Sequence, residues 1–242
     1  MIPLDLSIRT WGSGAKRALL LHGISSNAAG WWRVGPALGE LGYTVIAPDL
    51  RGHGKSPASS DYSLAAYTAD VLELGERWDL ILGHSLGGAI AVLAFTERPN
   101  LAPILVLEDP ALAIPAPEFA IDNLLSSYVL PISPEEVARR NPTWHDEDCR
   151  IKAAAILESR PLMVEETIRQ NVPWNLVEQA VSLTIPTLLL GAEFEPVIPA
   201  TFGSDLAGMN SNLEFRHVPG SSHSMHRDEF DQFFARVVEF LR

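Results

Sequence analysis

A single cysteine, Cys149, occurs in the 242 residues. An intramolecular disulfide is therefore impossible, and a cysteine-rich zinc site is excluded. Positive charge is also scarce: 18 Lys and Arg stand against 30 Asp and Glu, a formal net charge of −12. A surface of that sign repels phosphate backbones and anionic headgroups. It argues against a general nucleic-acid binder and against polybasic attachment to a membrane. Long apolar runs are missing too. The longest, Gly87 to Phe95, falls far short of the roughly 20 residues that span a bilayer. The opening Met1-Ile2-Pro3-Leu4-Asp5 has no basic segment followed by an apolar one. No secretion signal is read there, and a soluble, cytoplasmic protein is the expectation. No phosphate-binding G-x-x-x-x-G-K-[ST] is present, and no dinucleotide-binding G-x-G-x-x-G follows a strand pattern, so neither a cofactor nor a metal is expected.

What is present is an ordinary globular composition, 47% hydrophobic and 20% charged. The length suits one large domain, or a core with a small insertion, burying on the order of 70% of the surface of the unfolded chain. Ile2–Thr10 alternates like a strand. Short apolar runs then recur at Ala18–Leu21, Thr44–Ala47, Leu80–Leu82, Ile104–Leu107, Thr187–Leu190 and Leu213–Val218, most of them closed by Gly or Pro. Such runs read as buried strands of a parallel sheet. Helical patterns lie between them, at Ser63–Leu74, Ser85–Glu97 and Glu229–Leu241. Strand and helix in alternation predict an α/β fold with right-handed crossovers. From Leu112 to Leu183 the rhythm breaks into Pro-punctuated helical pieces, Glu118–Tyr128, Pro134–Arg140, Asp146–Glu158 and Val164–Asn171. The expected organisation is a core of residues 1–111 and 184–242 with a helical cap of residues 112–183.

The strongest chemical signal is Gly83-His84-Ser85-Leu86-Gly87, a G-x-S-x-G fed by an apolar strand and followed by a helix. On such a turn the serine adopts a strained backbone conformation that lifts its hydroxyl clear of the sheet, at the positive end of the helix. The glycines stand where a Cβ would collide with the neighbouring strand and helix. Three further motifs accompany it: Leu20-Leu21-His22-Gly23, Asp49-Leu50-Arg51-Gly52-His53-Gly54-Lys55-Ser56, and Gly220-Ser221-Ser222-His223. Together, in this order, they resemble the α/β-hydrolase fold superfamily over nearly the whole chain. The resemblance implies an oxyanion loop at His22-Gly23, a nucleophile elbow at Ser85 and a base-bearing loop at His223. It also implies a mostly parallel sheet flanked by helices.

A serine hydroxyl needs a base. Of seven histidines, His223 lies in the loop where the resemblance puts the base, 138 residues beyond Ser85, with His226 as the alternative at the start of the following helix. The acid is open. The family commonly carries Asp shortly after the strand Thr187–Leu190, but this chain reads Gly191-Ala192-Glu193-Phe194-Glu195-Pro196-Val197-Ile198-Pro199. Glu193 is preferred for its distance from the strand end, and Glu195 fits the D-x-x-x-P spacing to Pro199. Asp109, after Ile104–Leu107, is the third candidate, although a turn-capping aspartate before Pro110 explains it as well. The oxyanion donors implied are the backbone N–H groups of Ile24 and Leu86. Trp31, Trp144 and Trp174 are candidates for an apolar substrate pocket; ordinary packing explains each singly just as well. His145-Asp146-Glu147-Asp148-Cys149 reads as an acidic helix start rather than a metal site.

These features predict a cofactor-free serine hydrolase with a small-molecule substrate as its partner, and the resemblance implies a small carboxylic ester or lactone as that substrate. A monomer or small homo-oligomer is expected. A carbon–carbon bond hydrolase or lyase-type synthase would use the same triad. A ligand-binding signalling relative with little turnover is the reading outside enzymes, motivated by the missing Asp. Dehalogenase and epoxide hydrolase activity are disfavoured, because the resembling members carry Asp where this chain has Ser85.

Overall fold

The computed structural model describes residues 3–129 and 131–242. Among the described residues nine strands are formed: β1 (Ile8–Trp11), β2 (Lys16–Leu21), β3 (Tyr43–Pro48), β4 (Leu80–His84), β5 (Leu105–Glu108), β6 (Ala113–Ile114), β7 (Trp174–Asn175), β8 (Thr187–Ala192) and β9 (Leu213–Val218). Seven of them make one sheet in the order β1-β3-β2-β4-β5-β8-β9, parallel except for the β1–β3 edge pair.

The helices explain why the central strands are apolar on both sides. Along the core run α1 (Val34–Glu40), α2 (Leu64–Glu73) and α3 (Leu86–Glu97). Between β5 and β8 come α4 (Pro117–Leu125), α5 (Pro134–Arg140), α6 (Asp146–Glu158), α7 (Pro161–Arg169) and α8 (Val177–Val181). The chain ends with α9 (Ala200–Met209), α10 (Met225–Asp228) and α11 (Phe230–Phe240). Successive strand side chains point to opposite faces. Leu19, Leu21, Ile81, Leu105, Leu107 and Leu189 join one buried cluster with Tyr67 and Val71 of α2 and Ile90 of α3. Their neighbours Ala18, Leu20, Leu80, Leu82, Val106 and Leu188 join a second, with Leu38 of α1 and Phe233 and Val237 of α11.

Two sequence expectations change. The N-terminal strand is Ile8–Trp11, not Ile2–Thr10, and Met1 and Ile2 lie outside the described residues. Before that strand, the Leu4 N–H donates to Asp70 Oδ1 at 2.7 Å and the Ser7 N–H to Ser56 Oγ at 2.9 Å. Side-chain acceptors therefore replace a ladder there. Residues 112–183 also contain strand, because β6 and β7 pair as an antiparallel ribbon. Two residues on each side are too few to show an alternating pattern.

Strand order places the site. From β2 the sheet grows to β3 on one side and to β4 on the other, a reversal that opens a crevice at the carboxyl ends of β2 and β4. Leu21 pairs with Gly83 across that boundary, so His22-Gly23 and Ser85 emerge side by side. Among the described residues no helix is long and apolar enough to cross a membrane.

Candidate active site

β4 ends at His84, and Ser85 follows with φ 52° and ψ −115°, a conformation disfavoured for any residue with a Cβ. The strain is held by packing. A Cβ on Gly83 would sit 2.5 Å from the Gly87 carbonyl oxygen, and one on Gly87 would overlap the Leu21 carbonyl. The strand, turn and helix close up only because both positions are glycine. The N–H groups of Gly88 and Ala89 donate to the Ser85 carbonyl at 3.0 and 3.1 Å. Among the described residues the N–H groups of Leu86 and Ile24 have no acceptor. Leu86 is the first residue of α3, where a helix has no internal partner to offer.

The loop after β2 is braced by buried histidines. His22 Nδ1–H donates to the Gly23 carbonyl at 2.8 Å, and its Nε2 accepts from the Leu50 N–H at 3.0 Å. Asp49 ties the same region to the turn that follows β3, accepting from the N–H groups of Ala28 at 2.7 Å and Lys55 at 2.9 Å. Burial pulls the pKa of His22 down to about 4. Burial, and then the neighbouring His22, pull that of His53 down to about 3. Both stay neutral in the fold but bind a proton once unfolded, below an ordinary value of about 6.5. Their contribution to stability is complete above that pH and is lost as pH falls. Between pH 7 and pH 5 the two together are expected to remove about 4 kcal/mol of unfolding free energy. Urea denaturation at the two pH values checks this; equal midpoints would contradict it.

The third part of the site comes from the loop after β9. His223 Nδ1–H donates to Asp109 Oδ2 at 2.6 Å. Asp109 follows β5 with φ 40° and is fully buried. Its carboxylate also accepts from the N–H groups of Val197 at 2.9 Å and Ile198 at 2.8 Å. His84 Nε2–H donates to the His223 carbonyl at 2.9 Å, fixing the backbone beneath the imidazole. Burial, then the neighbouring His223 and His226, hold the His84 imidazole well below its ordinary pKa, so it remains a neutral donor.

Glu193 is not the partner of His223, which corrects the preferred sequence assignment. Its Oε2 accepts from the Gly220 N–H at 2.6 Å, clipping the loop after β8 to the loop that carries His223. Glu195 is exposed at φ 48°. The loop after β8 therefore supplies backbone donors to the carboxylate of Asp109 rather than a carboxylate of its own. His226 is buried with both ring nitrogens engaged: Nδ1–H lies 2.8 and 3.0 Å from the two Glu108 oxygens, and Nε2 accepts from Arg227 Nε–H at 3.2 Å.

Ser85 and His223 border one cavity of about 170 Å³, and no hydrogen bond joins them. Ile24, Lys152 and Arg227 share its wall. Trp31, Trp144 and Trp174 do not, a second correction. Trp31 is buried in the core with its ring 4.6 Å from that of His226. Trp174 Nε1–H donates to the Ala111 carbonyl at 2.7 Å. Trp144 Nε1–H donates to Asp228 Oδ1 at 2.8 Å, and its ring lies 4.7 Å from the Arg227 guanidinium. Trp144 and Trp174 thus satisfy their N–H groups in packing and pinning roles, while the Trp31 N–H is buried without a partner among the described residues. Lys152 and Arg227 escaped sequence reading. A lone lysine in Ile151–Glu158 and an arginine beside His226 carry no motif, and only tertiary packing brings them to Ser85.

The model of the alpha/beta hydrolase family matches residues 18–237, nearly the whole chain. The chain belongs to this family. Lipase LipV of Mycobacterium tuberculosis is 32% identical over 154 residues, covering 60% of this chain. The chain spans 58% of the length of that relative, and 30% of three uncharacterized mycobacterial relatives. Pimeloyl-[acyl-carrier protein] methyl ester esterase of Vibrio parahaemolyticus is 26% identical, with 98% of each chain covered. The enol-lactonase of Burkholderia xenovorans LB400 superposes with a TM-score of 0.83 at 20% identity, over 98% of this chain and 96% of that one. That structural likeness concerns the fold alone.

Proposed function

We propose that the protein is a serine hydrolase cleaving a small carboxylic ester or lactone through an acyl-enzyme. The observation that carries this is the 2.6 Å bond from His223 to the buried Asp109, in a loop that shares a cavity wall with the strained Ser85. Asp109 holds the imidazole with Nδ1 protonated, which leaves Nε2 as the base. Ser85 Oγ attacks the carbonyl carbon as its proton passes to His223. The N–H groups of Leu86 and Ile24 donate hydrogen bonds to the carbonyl oxygen as negative charge develops on it. Each is worth roughly 3–4 kcal/mol in the transition state. The tetrahedral intermediate collapses, and the leaving alkoxide takes the proton from His223. Water then gives a proton to His223 and attacks the acyl carbon, and Ser85 recovers its proton as the acid departs. The Ser85–His223 hydrogen bond forms when substrate seats, as such bonds often tighten only in the complex.

Family membership and the lipase and esterase relatives support ester chemistry. The binding-only alternative loses its motive, since Asp109 offers the carboxylate missing after β8. A fluorophosphonate probe tests the reading: mass mapping is expected to find the label on Ser85. Labelling elsewhere, or none, would count against it.

A further inference from the structure

We infer that the substrate carries a carboxylate, held between the ammonium of Lys152 and the guanidinium of Arg227. This deepens the serine-hydrolase reading and rests on it for the position of the scissile bond.

The first ground is the charge of the wall. A chain with a net charge of −12 brings two cations to the cavity at Ser85, and among the described residues no Asp or Glu lines it. Ser25, Ser26, Asn123 and Ser127, whose side chains carry no charge, also line it.

The second is how the cations are partnered. Lys152 comes from α6 and Arg227 from α10. Lys152 Nζ donates to the Ser25 carbonyl at 2.9 Å and to Ser25 Oγ at 3.0 Å, both neutral acceptors. An ammonium has three donors. Among the described residues it pairs with no carboxylate, and the carboxylate nearest to Arg227 Nε is Asp148 Oδ1, at 3.9 Å. Arg227 Nε–H donates to His226 Nε2, and Nη2–H to Ser26 Oγ at 3.2 Å. Buried charge is costly unless paired. The cost shows at Lys152, whose pKa burial, and then the neighbouring Arg227, pull down to about 7. A bound anion would offset it.

The third is position and size. Lys152 is anchored on Ser25, one residue past the Ile24 N–H, and Ser25 is itself held at φ 53°. A carboxylate at the cations thus places an ester a short chain away beside Ser85. The cavity, about 170 Å³, is smaller than the roughly 300–1,000 Å³ of drug-sized ligand pockets. That space suits a short dicarboxylate monoester and not a long acyl chain.

Monomethyl succinate and methyl butyrate are close in shape and differ in the charge. A charge-assisted hydrogen bond contributes about 1.5–3 kcal/mol, or about 10- to 100-fold. The wild type is expected to favour monomethyl succinate by at least tenfold in kcat/KM. In Lys152→Met that ratio is expected to fall about tenfold or more, mainly through KM, with Lys152→Arg restoring it. A wild type with no preference, or a Lys152→Met variant with the ratio unchanged, would overturn the inference. A binding arm stands apart from catalysis. By calorimetry, succinate is expected to bind Ser85→Ala, and the double variant Ser85→Ala, Lys152→Met to bind it at least tenfold more weakly. Absence of succinate binding to Ser85→Ala would also overturn it. Failure of fluorophosphonate labelling with succinate binding intact would instead remove the serine-hydrolase reading and leave the anion site standing.

Discussion

The Ser85→Ala variant is expected to fold normally and to lose ester hydrolysis by a factor on the order of 10⁵–10⁶ in kcat. The substitution removes one oxygen from a nearly buried residue whose backbone is held by its surroundings. A Cβ is already present at φ 52°, so alanine brings no new clash. The Leu86 and Ile24 N–H groups remain, and a residual acceleration over water of about 10³–10⁴ is expected from them and from binding. Hydrolysis of p-nitrophenyl acetate and butyrate, alongside circular dichroism, checks both halves. Equal rates in wild type and variant would remove Ser85 as nucleophile.

Asp109→Asn is expected to cost about 10⁴ in kcat, the order found when the acid of a serine triad becomes an amide. The physical reason is the tautomer. Val197 and His223 share Oδ2 while Ile198 uses Oδ1, so an amide whose oxygen stays with the Ile198 N–H turns its NH2 toward His223, which must then accept at Nδ1 and carry its proton on Nε2, facing the serine; the opposite orientation sets the NH2 against the Ile198 N–H. Glu193→Gln is expected to cost less than tenfold, because an amide oxygen still accepts from the Gly220 N–H. Measured kcat for the two variants separates the assignments, and the reverse ranking would return the acid to the loop after β8.

The α/β-hydrolase fold was legible in the chain because its signals are local. Central strands buried on both faces must be apolar throughout, and each such run is short enough to see by eye. The elbow was legible for the same reason, since Gly83, Ser85 and Gly87 answer a steric demand within five residues. The two-residue strands β6 and β7 were not, because pairing alone makes them strands.

The acid shows where local reading stops. Sequence narrowed it to Glu193, Glu195 and Asp109, all just beyond strand ends. Choosing among them needs the φ of 40° that turns Asp109 beneath His223, and the Val197 and Ile198 N–H groups that converge on its carboxylate. The tryptophans mark the same limit. Their size announced burial, but which surface each would bury against depends on neighbours far along the chain. By itself, then, the sequence determined the sheet, the elbow and the loop of His223, because backbone sterics and apolar burial write themselves into adjacent residues. Only the tertiary structure decided the partner of that histidine and the charge of the cavity wall. Hydrogen bonds and ion fields act across space between segments such as Asp109 and His223, or Lys152 and Arg227, and the order of residues along the chain does not encode that distance.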